Sequence, residues 1–441
     1  MILISLVVSI LTGFLLVRVV WPGRSRWEPA DWLRLPLGVL TGFGLSSIVA
    51  FLVQLADSTN RGLWILSDLF LWAAALIAYA LLGRAAIAET PVRQTELWAP
   101  AKWVALAAVV TMVMAYALMA LPRQTGDIDA WSIWNMRARF LFRGGTFATM
   151  ADPLLQWIHP EFPYALSALV LRSWRWAAAE SMAAPMSIAA LFVASLTMAM
   201  YGAVRLVRTP SQGFVALVVL LGSAGFIGNG AVQYADFPLA AFLFGSIAAI
   251  AAAEHLASPR IAILAGLCAG FAAWTKFEGI FYAVALAGFA LWRLKRAGLL
   301  FFAGAIPGCA MLAYFKMMIA PVTQASSADV LPLLAAVASK LFTFAFLGWV
   351  FTPFLVFAVY LYCVGLSKRK HVWIALAALF VSGCLAVLVR DDNFGDAAAI
   401  RLILHLWPVA LFAMMVHANA PEELLPAADS PRVNKAVKLR K

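Results

Sequence analysis

Charged residues are scarce in this chain. Only 12% of its 441 residues are Asp, Glu, Lys or Arg, whereas 64% are hydrophobic. Ordinary soluble domains have roughly a quarter of their residues charged, and no soluble core of this length could bury so much apolar surface. A soluble domain of any size is therefore excluded, and we predict an integral membrane protein.

Several other signatures are also missing. The four cysteines (Cys268, Cys309, Cys363 and Cys384) lie in apolar stretches without CxxC or zinc-ligand spacing, so we interpret them as packing residues. No segment has the period-two alternation of a membrane β-barrel, which predicts an all-α fold. No Asn-x-Ser/Thr sequon occurs, which is compatible with a bacterial inner membrane.

Long apolar runs are what the chain does contain. A helix needs about 20 apolar residues to cross the bilayer, and such runs predict a polytopic transmembrane helical bundle of about 13 spans. The predicted spans are 2–20, 36–56, 63–83, 101–121, 184–204, 213–229, 236–253, 261–275, 279–292, 298–319, 341–363, 372–389 and 398–417. We expect an N-terminal membrane segment of three helices at 1–99, a main membrane domain at 100–418 with a long loop at 122–183, and a basic tail at 419–441.

The formal net charge of +12 reflects topology. Lys and Arg collect in cytoplasmic loops, and here they concentrate in alternate loops, for example at 293–296 and 368–370. This pattern places the N-terminus and the 122–183 loop outside and the C-terminus inside. The basic excess would also attract anionic lipid, and nucleic acid is not an expected partner.

The uncommon polar side chains collect on the predicted external side. Ionisable groups near the bilayer cost about 2.5–3.5 kcal/mol each on insertion scales, so they need partners or a function. Their convergence on one face predicts a site at the membrane–water boundary. The residues are Asp127, Asp129, His159, Glu161, Asp236, Lys276, Glu278, Arg390, Asp391, Asp392, Arg401 and His405.

Asp127 and Asp129 allow two interpretations. Either could cap a helix that starts near residue 130. In an extended lead-in, side chains at i and i+2 point to the same side and could share a site. On a helix they would point about 200° apart, and a shared site would fail.

Other charges have similar alternatives. Arg137, Arg139 and Arg143 are expected on the solvated or headgroup-facing side of an interfacial helix. Lys276 and Glu278 form either a snorkelling pair at the interface or part of a ligand site.

The segment Gly126-Asp127-Ile128-Asp129-Ala130-Trp131, followed by an amphipathic helix, resembles the first-loop signature of the GT-C glycosyltransferases. These polytopic enzymes use lipid-phosphate sugars and include protein O-mannosyltransferases and lipid A aminoarabinose transferases. Segments 159–163, 234–240 and 266–279 are similar to the bacterial members, so the resemblance covers about residues 100–418. Two departures are the three spans before the acidic loop and the lack of an external C-terminal soluble domain.

The resemblance implies a glycosyltransferase that moves a sugar from a polyprenyl-phosphate donor to a lipid, glycan or protein acceptor at the external face, with inversion. Asp129 would be the general base, and Asp127 would support it or hold a divalent cation (Mg or Mn) with it. Donor binding is expected to survive Asp129→Asn, because other cations would hold the phosphate. The alternatives are a transporter or lipid-linked sugar flippase, and a non-catalytic membrane scaffold. The implied substrate-binding residues are Glu161, His159, Asp236, Lys276, Glu278, Arg390, Arg401 and His405.

Overall fold

The computed structural model is helical, as the sequence predicts. It describes residues 1–23, 27–57, 59–83, 99–321, 351–366, 374, 378, 380–381 and 396–424. In these ranges the only β-type pairing is an isolated bridge between Leu366 and Ala418. Arg390, Asp391, Asp392 and Cys384 lie outside the described residues.

The α-helices follow the apolar runs closely. The π-helix Ala130–Trp134 and the 3₁₀ helices Pro153–Ile158 and Lys295–Gly298 complete the helical elements. The α-helices are α1 Ile2–Val20, α2 Asp31–Ala56, α3 Arg61–Leu82, α4 Ala99–Ala120, α5 Asn135–Phe142, α6 Phe147–Met150, α7 Ala165–Ala177, α8 Ala183–Val207, α9 Pro210–Leu221, α10 Ala224–Ala231, α11 Asp236–His255, α12 Ile261–Thr275, α13 Glu278–Leu294, α14 Leu299–Met318, α15 Phe351–Val364, α16 Asp396–His417 and α17 Pro421–Leu424.

Several of these helices are suited to cross a membrane. Within the described residues, six helical segments are long and apolar enough, or seven if one bent pair counts as a span. One of the six, Glu278–Met318, contains both α13 and α14. The protein is therefore an integral membrane protein by the character of its helices, while the predicted total of about 13 spans stays a prediction.

Glycines bring α12 and α14 into backbone contact. A Cβ at Gly304 would lie 2.0 Å from the carbonyl oxygen of Ile263, and one at Gly308 would lie 2.1 Å from that of Gly270. Both contacts advance in the same direction along the two helices, so α12 and α14 run parallel. Such small-residue surfaces are the usual means of close helix association in membranes.

The predicted span 213–229 is wrong as a single helix. It is divided into two segments, Pro210–Leu221 and Gly225–Ala231, that are bent by 68°. Gly222 and Ser223 lie at the break, where a Gly/Ser pair is a common cause of a kink. The Ser223 hydroxyl donates to the carbonyl of Val219 at 2.9 Å and accepts from Trp407 Nε1 at 3.0 Å, which ties the break to α16.

The segment 122–183 is folded into the bundle instead of lying over it as a loop. Its longest helix, α7, is almost entirely buried and packs against α2 and α5. Arg172 on α7 donates to Asp68 of α3 at 2.8 Å and to the carbonyl of Ser5 of α1 at 2.8 Å. The first three helices therefore share a core with the rest of the chain.

Candidate active site

The segment before the π-helix is fixed to the turn that precedes α11. The Asp127 backbone N–H donates to the carbonyl of Val232 at 3.2 Å, and Gln233 Nε2 donates to that of Gln124 at 3.0 Å. Gly126 has φ +78°, and a Cβ there would lie 2.7 Å from the Val232 oxygen. Glycine is thus required where this segment meets the turn.

Asp129 forms an ion pair with Arg401 of α16. Its backbone is already helical, with φ −68° and ψ −27°, and its side chain makes no capping hydrogen bond. The interpretation in which the two aspartates share a site from an extended lead-in is therefore wrong, and Asp129 is not a side-chain cap either. The Asp127 carboxylate instead accepts the N–H of Ile128 at 2.8 Å.

Arg401 lies between an acidic and an aromatic group. Its guanidinium is 5.5 Å from the centroid of the Tyr234 ring, a cation–π distance. Asp236 and Asp129 both attract it, and 30% of its side chain is exposed. Burial raises the pKa of the Tyr234 phenol, so this neighbour of Arg401 stays neutral at physiological pH.

A buried cluster lies one helical turn further along α16. The Asp236 carboxylate accepts from Lys276 Nζ at 2.8 Å and contacts His405 Nε2 at 3.0 Å. Lys276 also lies 3.4 Å from Glu278. The side chains of Asp236, Lys276 and His405 are at most 4% exposed. These residues come from the start of α11, the residue that follows α12, the start of α13 and the interior of α16.

The two parts form one group because Arg401 and His405 are four residues apart on one helix, where side chains share a face. We call this group the Asp129 site. It unites six predicted residues with Tyr234, and its members are Asp129, Tyr234, Asp236, Lys276, Glu278, Arg401 and His405.

The tautomer of His405 follows from its partners. An ionised carboxylate only accepts, so Nε2 carries the proton toward Asp236. Nδ1 faces the hydroxyl of Tyr282 at 3.4 Å. Sequence reasoning missed Tyr282, although it lies four residues after Glu278 on α13 and so shares a face with it.

His159 and Glu161 form a separate pair. His159 Nδ1 lies 2.9 Å from Glu161 Oε1, and its ring stacks on Phe162 with centroids 4.4 Å apart. His159 has φ 51°, an uncommon conformation for a non-glycine residue. Burial alone would raise the pKa of Glu161, but the hydrogen bond from His159 and the charge of Arg137 hold it below its usual value.

The headgroup-facing prediction is wrong for Arg137. Its side chain is fully buried because α5 packs on α7. Its Nη2 donates to the carbonyl of Phe162 at 2.6 Å, and its guanidinium lies 3.6 Å from the centroid of the Tyr164 ring. Arg139 and Arg143 instead pair with Glu180.

The aspartates do not fit a divalent cation. In the part of the chain that the structure describes, no three His, Cys, Asp or Glu side chains group as metal ligands. Asp129 already faces a guanidinium, and Asp127 bonds its neighbouring N–H. A cation between them would have to displace Arg401, so we derive no chemistry through a metal.

No known protein family, curated protein or solved structure matches this chain. We therefore infer its function from its sequence motifs and from the contacts of the Asp129 site.

Proposed function

We propose that this protein is a glycosyltransferase that moves a sugar from a polyprenyl-phosphate donor to a hydroxyl acceptor at the membrane surface. The observation that carries the proposal is the ion pair between a carboxylate, Asp129, at the start of the π-helix, and a partly exposed cation, Arg401, near the start of α16. Glycosyl transfer from a lipid phosphate needs a base for the acceptor and a cation for the leaving group. The motif resemblance to GT-C enzymes supports the same reaction.

The chemistry divides between these two residues. The acceptor oxygen attacks the anomeric carbon while Asp129 takes the hydroxyl proton. The bond between the anomeric carbon and the phosphate oxygen breaks, and its electron pair leaves on the polyprenyl phosphate. Arg401 stabilises that charge. A single in-line attack inverts the anomeric centre.

Lys276 has a positioning role in this proposal. It is buried between Asp236 and Glu278, with only 3% of its side chain exposed. With Asp236 and His405 it fixes the face of α16 that carries Arg401. The donor phosphate therefore meets Arg401 and not Lys276.

We further propose that the Asp129 site faces the outside of a bacterial inner membrane, where lipid-linked donors replace nucleotide sugars. The alternation of basic loops supports this orientation. Thr146 and Arg296 are exposed and belong to opposite predicted sides. Single cysteines at these positions, with the native cysteines replaced, should react with an impermeant maleimide from opposite sides of the membrane. Reaction of both from one side would contradict the orientation.

The transferase proposal is tested with purified protein in nanodiscs. A panel of polyprenyl-phosphate hexoses and pentoses is offered with a mixture of lipid and glycan acceptors, and release of polyprenyl phosphate is followed by mass spectrometry. We expect release from at least one donor, dependent on acceptor. Binding of every donor without release, together with passage of a donor across the bilayer of sealed proteoliposomes, would favour a flippase.

The flippase remains the second candidate because of the 68° bend between Pro210–Leu221 and Gly225–Ala231. Broken helices are common in transporters, where they hold substrate near the bilayer midplane. Most charged residues of the Asp129 site instead lie where a helix begins or ends: Asp236 and Glu278 begin α11 and α13, and Lys276 directly follows α12. This placement favours the transferase.

A further inference from the structure

The proposed base is already engaged in this structure. Asp129 Oδ2 accepts a hydrogen bond from Arg401 Nη2. The Oδ2 lone pair directed at the guanidinium is not available to an acceptor hydroxyl, so this oxygen cannot take the acceptor proton while the ion pair holds. The ion pair therefore needs an event that separates it.

Arg401 is also the cation that a donor phosphate would meet. Lys276, the other described cation of the Asp129 site, is buried between two carboxylates. Guanidinium groups bind carboxylates and phosphates with the same fork of donors. The carboxylate of Asp129 and a lipid phosphate are thus alternative partners for one group.

We propose that the donor phosphate competes with Asp129 for Arg401, so that donor binding frees the base. This inference rests on the proposed function. It implies an ordered reaction in which the donor enters first and the acceptor hydroxyl then meets a free Asp129. Without donor, the ion pair keeps Oδ2 of Asp129 engaged.

The surroundings of Arg401 suit an exchange of partners by side-chain rotation alone. Four residues further along α16, His405 is fixed by Asp236, which anchors the helix. The Tyr234 ring also lies at a cation–π distance from the guanidinium and can keep it in place while its anionic partner is exchanged. Arg401 therefore needs no movement of α16 to leave Asp129.

The proposal reverses the sequence-based expectation that Asp129→Asn leaves donor binding unchanged. Asparagine removes the competing charge while keeping the shape, and its bond to Arg401 is not assisted by a charge of its own. Polyprenyl phosphate should then bind more tightly to Asp129→Asn than to the wild type. The free energy that typically couples two binding events changes the affinity of one of them by about 5- to 150-fold.

The experiment is equilibrium binding of polyprenyl phosphate to the full chain in nanodiscs, by microscale thermophoresis. The variants are Asp129→Asn, Asp129→Ser and Arg401→Gln, with Asp152→Asn as the control. Asp152 is an exposed loop aspartate that caps the 3₁₀ helix Pro153–Ile158, and Asn should cap equally well. Asp129→Ser repeats the test if Asp129→Asn folds poorly.

We expect tighter binding for both Asp129 variants, weaker binding for Arg401→Gln, and no change for Asp152→Asn. If the wild type binds polyprenyl phosphate and both Asp129 variants bind it equally or more weakly, the competition is overturned and the proposed function still stands. No binding of polyprenyl phosphate to any variant would overturn both.

Discussion

At the residue scale, the protein buries ionisable side chains that pair with one another. Asp236 and Lys276 face each other at 2.8 Å with 2% and 3% of their side chains exposed. Such a pair adds little net stability, because desolvation offsets the attraction. Losing one partner is costly, since the other charge stays buried.

Lys276→Met should therefore destabilise the protein strongly. The Asp236 carboxylate would keep only His405 as a partner, and breaking a buried pair costs about 3–5 kcal/mol. The measurement is thermal unfolding in detergent, with Lys295→Met, an exposed lysine, as the matched control. The double variant Lys276→Met/Asp236→Asn should recover most of the loss. Equal midpoints for the single and double variants would show that the pairing is not what Lys276 contributes.

The sequence predicted most members of the Asp129 site but, apart from the local pair Lys276 and Glu278, not their pairing. Asp129, Asp236 and Arg401 could be chosen because charge is rare and costly in such a chain. The contacts join residues that are 40 positions apart for Lys276 with Asp236 and 272 apart for Arg401 with Asp129. No local pattern encodes pairings over such separations. Tyr234 was overlooked as a site residue because aromatics in membrane proteins are usually interfacial.

At the element scale, close helix packing sets the geometry beneath the site. Gly304→Ala should force α14 away from α12, because the new Cβ would lie 2.0 Å from the Ile263 oxygen. Such overpacking typically costs about 1–3 kcal/mol. Gly288→Ala on α13 is the matched control, since a Cβ there meets nothing within 4 Å. The thermal midpoint should fall for Gly304→Ala and hold or rise for Gly288→Ala; a similar result for both would argue against the packing.

Glu180 should make the stability of the segment between α4 and α8 depend on pH. It accepts from Arg143 Nε at 2.6 Å and from Arg139 Nε at 3.0 Å. The bond from Arg143 above all, helped by Arg139, holds the pKa of Glu180 below its usual value. A depressed carboxyl pKa contributes stability above the unfolded value, and that contribution is lost as pH falls through the folded value.

Glu180→Gln should accordingly lower the thermal midpoint slightly at pH 7, by about 1–2 °C, as expected for an ion pair whose main partner, Arg143, is largely exposed. The difference from the wild type should shrink as pH falls below about 4.3, the ordinary pKa of an unfolded-state Glu, and close below the depressed folded-state pKa. Unfolding is followed by differential scanning fluorimetry across that range. A difference that stays constant with pH would show that the charge of Glu180 is not involved.

The apolar helices were predictable from apolar length, and α1, α11 and α12 begin where the sequence placed them. The buried helix α7 was not predicted. It has only 13 residues, with Arg172 and Arg175 among them. It is buried because it packs on α2 and because Arg172 has partners on other helices. The length of an apolar run does not predict either feature. The break at Gly222-Ser223 was missed because both flanks are equally apolar.

At the scale of the whole molecule, the first three helices support the segment that carries Asp129. Phe43 of α2 contacts Phe192 of α8 with centroids 5.3 Å apart, and Phe51 contacts Trp274 of α12 at 5.1 Å. Asp68 of α3 pairs with the buried Arg172 of α7. These contacts give the helices that precede the acidic segment a structural role in this chain.

The central claim is that Asp129 acts as the base of a glycosyl transfer, and one comparison of rates tests it most directly. Release of polyprenyl phosphate from the donor found active in the panel is measured for the wild type, Asp129→Asn and Asp152→Asn. Asparagine keeps the shape of Asp129 but cannot take the acceptor proton, so turnover at saturating donor should fall by about 10²–10⁴. Asp152→Asn should retain normal turnover. Near-normal transfer by Asp129→Asn would contradict the account.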